Sequence, residues 1–466
     1  MTRYHHLAEE LAALITQGTL QVGDRVPSVR SLVRQRGVSA GTAMRAYDVL
    51  ESRDLIEARP RSGYYVSDRW RRQVPQPRRS RPPRKSTSVE VSELVFEILE
   101  ATRHHQAVPL GSAFPSPHLF PWAKLARTLG SSARHMDPWV TVESLPPGSA
   151  ELRRQIARRY LLSGASVQTD EIVITSGALE ALNLALAVLT KPGDIVAIES
   201  PTFYACLQAI EAAGLKALEI PTHPTEGVDI GALRQAIARH DIRACWFMTT
   251  FQNPLGATMP AEAKRELVQL LAEHDIPLIE DDVYAELYFG DERPRPAKSY
   301  DAKGLVLNCG SFSKCLAPGY RLGWVAAGRF VRAIQRRKIM SSLATSIPVQ
   351  EGIASMLRHD GFDSHLATLR AALQRQQQEV VRCVKRHFPG EYRLGVPQGG
   401  YFIWVELEEQ ADAMRIYREA LAANVSVAPG PMFSARRAFR NCLRINCGHP
   451  FTPEIERAIA LLGRLI

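Results

Sequence analysis

Gly310-Ser-Phe-Ser-Lys314 runs directly into Cys315-Leu-Ala-Pro-Gly-Tyr-Arg321-Leu-Gly323. A single lysine after a strand is usually a surface residue, so the neighbouring segments decide what this one means. Upstream, Glu171-Ile-Val-Ile-Thr175 reads as a strand. It turns through Ser176-Gly177-Ala178 into an amphipathic helix from Leu179. A strand that turns so into a helix offers free backbone N–H groups and a positive dipole end to an anion. Pro277-Leu-Ile279 is apolar and runs into Glu280-Asp281-Asp282-Val-Tyr284. Acids at the end of a buried strand face the ligand crevice of an open α/β sheet. Gln252-Asn253-Pro254-Leu-Gly256 reads alone as a turn. From about Val108 onward, strand-like and helical segments alternate, which is the texture of an α/β fold.

In this order and at these spacings, the four segments resemble the fold-type I pyridoxal-phosphate enzymes, the aspartate aminotransferase superfamily. The resemblance runs from about Gly111 to the C-terminus and implies a large, mixed, mostly parallel sheet plus a smaller C-terminal domain. It implies pyridoxal 5'-phosphate as cofactor, with Lys314 as the lysine that takes the cofactor aldehyde. Such a lysine needs a lowered pKa. Asp281 is implied as the carboxylate that keeps the pyridine nitrogen protonated. Asn253 and Tyr284 would bond the phenolic oxygen, and Phe203 would stack on the ring, with the adjacent Tyr204 as the alternative because relatives often have Tyr there. Ser176, Gly177, Ala178, Ser311, Ser313 and Arg321 would hold the phosphate. Arg444, in Cys-Leu-Arg-Ile-Asn446, matches the arginine that grips a substrate carboxylate as a bidentate pair. One departure stands out. Relatives place a Tyr before Gly148 that reaches the neighbouring subunit's phosphate, and Glu143-Ser-Leu-Pro-Pro-Gly148 has none.

The first 68 residues read differently. Leu7, Leu11, Leu14 and Ile15 recur at helical spacing until Gly18. Pro27 opens a helix over Ser28 to Arg36, and Gly37 breaks it. Ser39 is placed to cap a third helix through about Ser52, with Ala43, Ala46, Tyr47 and Leu50 on its apolar side. Two β runs follow, Leu55–Arg59 and Gly63–Val66. This is the outline of an α+β winged helix-turn-helix. The residues from Pro27 to Val66 resemble the GntR family of DNA-binding domains, in which the third helix enters the major groove. The resemblance implies Arg30, Ser39, Thr42 and Arg45 as contacts to double-stranded DNA, with Arg61 and Gly63 in the wing. Hydroxyls and arginines at a helix start suit phosphates, and arginine pairs bidentately with guanine. Ala40 stands where many members carry Arg, so base preference does not transfer.

The chain has 466 residues, 45% of them apolar and 23% charged, an ordinary globular composition. Its seven scattered cysteines form no CxxC, which argues against a disulfide framework or zinc site and fits a reducing compartment. No apolar run reaches a membrane span and the N-terminus has no signal peptide, so a cytoplasmic protein is expected. The net charge of +10 is uneven. Residues 69–85 hold eight Lys/Arg and no acid, whereas the flanking regions nearly balance. Such a Pro/Arg-rich run is expected to be an extended, mobile linker, and beside the reader its attraction to the DNA backbone is favoured over a bland solvated tether. The expected domains are therefore a reader at 1–68, a linker and connecting segment at 69–107, and a cofactor domain at 108–466. Within the last, the large part spans about 150–345 and the small part about 346–466.

Together these parts resemble the MocR subfamily of bacterial transcriptional regulators, whose members form head-to-tail homodimers. The expected function is regulation of transcription, with the cofactor domain sensing an amino compound or pyridoxal phosphate itself. The alternative is a working aminotransferase that carries a DNA-binding domain. A vestigial domain that only dimerises the readers fits worst, since it would not explain keeping Lys314, Asp281, Asn253 and Arg321 together.

Overall fold

The computed structural model describes residues 3–59, 62–67, 74–101, 107–140, 145–359 and 361–466. Its contacts divide the chain into two compact units, 1–75 and 76–466.

The first unit holds α1 (Arg3–Thr16), α2 (Val29–Arg36) and α3 (Ala40–Ser52), then the antiparallel hairpin β1 (Ile56–Arg59) and β2 (Gly63–Val66). Helix boundaries follow from capping. Ser28 accepts from the Ser31 N–H at the start of α2, and Ser39 accepts from the Thr42 N–H at the start of α3. Gly37, at φ +60°, closes α2 in the left-handed conformation that favours glycine. Leu7, Leu11, Ile15, Leu32, Tyr47, Leu50 and Val66 form one buried core. The Tyr47 hydroxyl is not left orphaned there, because it donates to the Pro27 carbonyl.

The second unit is built on β3 (Thr87–Ser88), β4 (Val108–Pro109), β5 (Ile172–Thr175), β6 (Ile195–Ser200), β7 (Lys216–His223), β8 (Gly227–Val228) and β9 (Ile242–Phe247). These are followed by β10 (Leu278–Asp281), β11 (Val306–Ser311) and β12 (Gly323–Ala326). The large sheet has nine strands in the order β3-β7-β6-β9-β10-β11-β12-β5, with β8 paired to β7. Its centre is parallel, whereas β12 is antiparallel to both neighbours. Strands β5, β10 and β11 are buried along their whole length, as expected of a sheet covered on both faces.

The smaller lobe carries β13 (Arg393–Gly395), β14 (Phe402–Glu406), β15 (Val425–Ser426), β16 (Ala428–Pro429) and β17 (Cys442–Asn446). Four of these form the sheet β13-β14-β17-β16, while β15 pairs with β4. The helix Gly361–His387 links the lobes. Phe362, Leu366 and Leu369 near its start share a core with Ile174 and Phe312 of the large lobe. Cys383 and His387 at its end pack against the C-terminal helix Pro453–Leu465. All seven cysteines are buried free thiols. No helix among the described residues is long and apolar enough to cross a membrane.

The basic run departs from the expected free tether. Residues 69–73 lie outside the described residues, but the stretch from Gln76 belongs to the second unit and is fastened to it. Arg393 Nη1 donates to the Gln76 carbonyl (3.2 Å). Arg78 N–H donates to Glu406 (2.7 Å), and Arg78 Nη1 to Glu409 (2.8 Å). Two residues on, Ser80 N–H donates to the Thr222 carbonyl and Ser80 Oγ accepts from Thr222 N–H, at 3.2 and 2.9 Å. Arg79 pairs with Asp229. Thr87–Ser88 then adds to the sheet edge beside β7. A segment without a core of its own can still be held by polar partners, and composition does not reveal acids that wait on distant strands.

Candidate functional site

Lys314 follows β11 and lies half-buried beneath Ala113 and Phe114. Its Nζ donates to the Ala113 carbonyl (2.8 Å) and lies 3.6 Å from the centre of the Phe114 ring. Burial pushes its pKa down to about 7; the cations of Arg444 and Arg321 add to this, and Asp281 opposes it. A neutral amine near pH 7 is what nucleophilic attack on a carbonyl requires. Asp281 ends β10. Burial, reinforced by Asp282, pushes its carboxyl up to about 7. Its Oδ1 is buried with no hydrogen-bond partner among the described residues. An unpaired buried carboxylate oxygen is costly unless a donor reaches it, so this atom fits the protonated ring nitrogen of the expected cofactor.

Asn253 stands between Tyr284 and Arg444. Its Nδ2 is 3.5 Å from the Tyr284 hydroxyl, and its Oδ1 accepts from Arg444 Nη1 (3.0 Å). Burial raises the Tyr284 pKa, so the phenol stays protonated. Arg444, on β17, is 1% exposed and sits over the rings of Phe402 and Phe433 at 4.1 and 5.2 Å. Its Nη2 donates to the carbonyls of Gly111 (2.8 Å) and Ser112 (3.2 Å), and its Nε is buried without a partner. Every acceptor it has among the described residues is neutral. A buried guanidinium with no carboxylate is an uncompensated charge, and it calls for an anion.

The expected phosphate cup lies where β5 meets the helix Ala178–Leu189. Gly177 takes φ +93°, and a Cβ there would stand 2.7 Å from Arg321 Nη2. Glycine therefore lets the guanidinium approach the helix start, where the N–H groups of Gly177 and Ala178 are. Arg321 itself is left-handed (φ +50°), and its Nη1 reaches Ser313 Oγ at 3.5 Å. Of the expected ligands, Ser311 has its hydroxyl engaged and Ser176 its backbone N–H. Ser311 Oγ donates to the Leu322 carbonyl and accepts from Ser313 N–H, so its hydroxyl braces the loop. The Ser176 N–H donates to Glu180, which is held in turn by Lys338. Phe203 is partly buried and begins the helix Tyr204–Ala212, with Tyr204 buried beside it at 4.7 Å between ring centres.

Sequence reasoning missed the segment Gly111–Phe114 and Tyr401. The carbonyls of that segment receive Arg444, Lys314, Asn446 and the Tyr401 hydroxyl (3.0 Å to Ala113). Nothing local marks these residues, because each bond spans more than two hundred residues.

In the first unit, Arg30 and Arg45 are exposed on α2 and α3. Arg45 lies 5.8 Å from the Tyr4 ring. Ser39 Oγ and Thr42 Oγ1 are 2.9 Å apart, so both hydroxyls serve the start of α3. Gly63 opens β2 at φ +101°, and Arg61 lies outside the described residues. Arg59, stacked on Tyr65 at 4.4 Å, is a wing cation that sequence reasoning passed over.

Comparison with known proteins agrees with this division. Residues 3–66 match the gntR family of bacterial regulatory proteins, and residues 141–462 match the class I and II aminotransferases. The HTH-type transcriptional regulator YdcR of Escherichia coli K12 is 45% identical over 466 residues, covering 100% of this chain and 99% of that protein. YjiR of the same organism, also described as an HTH-type transcriptional regulator, is 39% identical over 100% of this chain and 99% of its own length. Among solved structures, LysN of Thermus thermophilus, an alpha-aminoadipate aminotransferase complexed with N-(5'-phosphopyridoxyl)-L-leucine, aligns with a TM-score of 0.73. It is 29% identical and covers 80% of this chain and 93% of its own. A GntR-type reader joined to a class I/II aminotransferase fold, matched end to end by regulators of the same build, places this chain in the MocR-type family of GntR regulators.

Proposed function

We propose that this protein is a DNA-binding transcription regulator whose aminotransferase-type unit senses a carboxylate-bearing amino compound with the help of pyridoxal phosphate. The observation that carries this reading is Arg444, a buried cation with only neutral acceptors among the described residues, beside a lysine held near pKa 7. When bound, the cofactor supplies an aldehyde open to amines and an electron-withdrawing ring. Lys314 is the amine that would hold it, Asp281 the partner for its ring nitrogen, and Gly177, Ala178, Ser313 and Arg321 the groups at its phosphate. Arg444 would bind the effector carboxylate, which must displace the Gly111 and Ser112 carbonyls from the guanidinium.

The fastened linker offers a route for the signal. Gln76 and Arg78 hold to β13 and β14 of the small lobe, whereas Arg79 and Ser80 hold to the large lobe. Trp404 of β14 lies opposite Arg444 in the sheet, and Glu406 is two residues on. An effector that moves the small lobe would therefore shift residue 78 against residue 80, just beyond the end of the reader. A homodimer is supported by exposed apolar side chains near the cup, Leu179, Ile339, Met340 and Leu343. Action on genomic DNA would place the protein in the cytoplasm.

The second reading, an active aminotransferase with an attached reader, is favoured by the joint presence of Lys314, Asp281, Asn253, Tyr284 and Arg444. The visible spectrum of cofactor-loaded protein, titrated with amino acids, separates the two. A band that shifts with one amino acid and stays shifted when a keto acid is added supports the sensor. A band that is lost and then restored by a keto acid supports turnover.

A further inference from the structure

Between the fastened residues Arg79–Arg84 and the large lobe lies a cavity of about 520 Å³. It shares no lining residue with the site around Lys314. One side of it is apolar: Leu218 and Ile220 of β7, with Ala232 and Ala236 of the helix Ile230–Ile237. The other side is cationic. Arg79, Arg81, Arg84 and Arg239 line it, and only Arg79 has an acidic partner among the described residues, Asp229. Arg81, Arg84 and Arg239 make no ion pair among the described residues. Glu219 also lines the cavity, but its Oε1 already accepts from Ser434 and from the Ala435 N–H, and burial raises its pKa. With Asp229 it sets two acids against four arginines, so the lining keeps a cationic excess.

The wall that carries Arg81 and Arg84 is anchored before and after the cavity. Ser80 is bonded to Thr222, and the His240 ring Nε2 lies 3.1 Å from the Arg84 carbonyl. Three like charges around one concave surface repel one another unless an anion joins them. The guanidinium fork matches phosphate oxygens in pairs, which carboxylate-free arginines are free to use. An apolar wall opposite would bury the body of the same ligand.

We propose that this cavity binds a small phosphate monoester with an apolar body, its phosphate held by Arg81, Arg84 and Arg239. Such a ligand would join the linker segment to the helix end at Arg239 and so pin the stretch that leads to the reader. This site would exist whether the Lys314 site senses or catalyses.

The test is calorimetric titration of the full-length protein with phenyl phosphate, after loading with pyridoxal phosphate and removal of all unbound cofactor by gel filtration; the retained cofactor fills its own phosphate cup. In a second preparation Arg321→Ala disables that cup instead. Both should bind phenyl phosphate saturably, and neither should bind phenol. The variant R81A/R84A/R239A changes only exposed side chains, so its thermal melting should be unchanged and its affinity at least ~tenfold weaker. Replacing the same three by lysine should restore only part of the affinity, because the charge returns without the fork. Absence of saturable binding to wild-type protein, or equal binding by the triple alanine variant, would overturn the proposal. So would binding of duplex DNA, but not of phenyl phosphate, that these three arginines account for.

Discussion

The two units are assembled over very different distances along the chain. In the reader, the bonds that set the helix starts join residues three apart, Ser28 with Ser31 and Ser39 with Thr42. In the larger unit, Lys314 bonds a carbonyl 201 residues away, and Arg444 one 333 residues away. A change in the reader should therefore act on one helix or one contact. A change in the larger site should act on several chemical groups at once, because Lys314, Arg444, Asn446 and Tyr401 all converge on Gly111–Phe114.

The largest expected effect is at Lys314. Lys314→Ala should abolish the visible absorption band of the bound cofactor while leaving operator DNA binding measurable. An unchanged band would remove Lys314 from its role. Next is Arg444→Gln, which removes the buried cation offered to an effector carboxylate. Effector affinity should fall by about 2–5 kcal/mol, the cost of truncating one side of a buried charge pair. Unchanged affinity in a spectral titration would place the carboxylate elsewhere. In the reader, Arg30→Ala should weaken specific DNA binding by about 1–3 kcal/mol if the side chain meets a base. A uniform loss across sequences, with a shallower salt dependence, would instead assign it to a phosphate.

The pH dependence sharpens the same contrast. Lys314 is held near 7, so it is protonated and unreactive below that pH and neutral above it. The rate of cofactor capture should rise about tenfold per pH unit up to roughly pH 7 and then level off. Stopped-flow absorbance would show this, and a rise continuing towards pH 10 would mean an unperturbed lysine. The smallest effect is local. Ser39→Ala removes the α3 cap and should cost about 1 kcal/mol of stability, read from denaturant unfolding.

Legibility follows the same division. The Ser39 cap, the Gly37 stop and the two β runs of the reader were readable because their partners are neighbours in sequence; Ser28, expected inside α2, caps it instead. The strand end that presents Asp281 was readable from an apolar run meeting acids, whereas Lys314 alone read as a surface residue. The resemblance then gave those residues their roles, which spacing alone could not do. What stayed hidden was long-range. Nothing near Gly111 announces that it meets Arg444. Nothing in the Arg-rich run announces that Arg78 meets Glu406 or Arg79 meets Asp229. The composition of that run was read correctly as lacking a core, but its acidic partners are more than a hundred residues away.

The central claim is that an amino compound held at Arg444 is reported by the reader. The most direct test is the operator affinity of cofactor-loaded protein, measured with and without the amino acid that shifts its visible band. The account predicts a change in affinity that disappears in Arg444→Gln and is blunted in Arg78→Ala. Operator affinity that stays the same while the bound amino acid is consumed in the presence of a keto acid would contradict it.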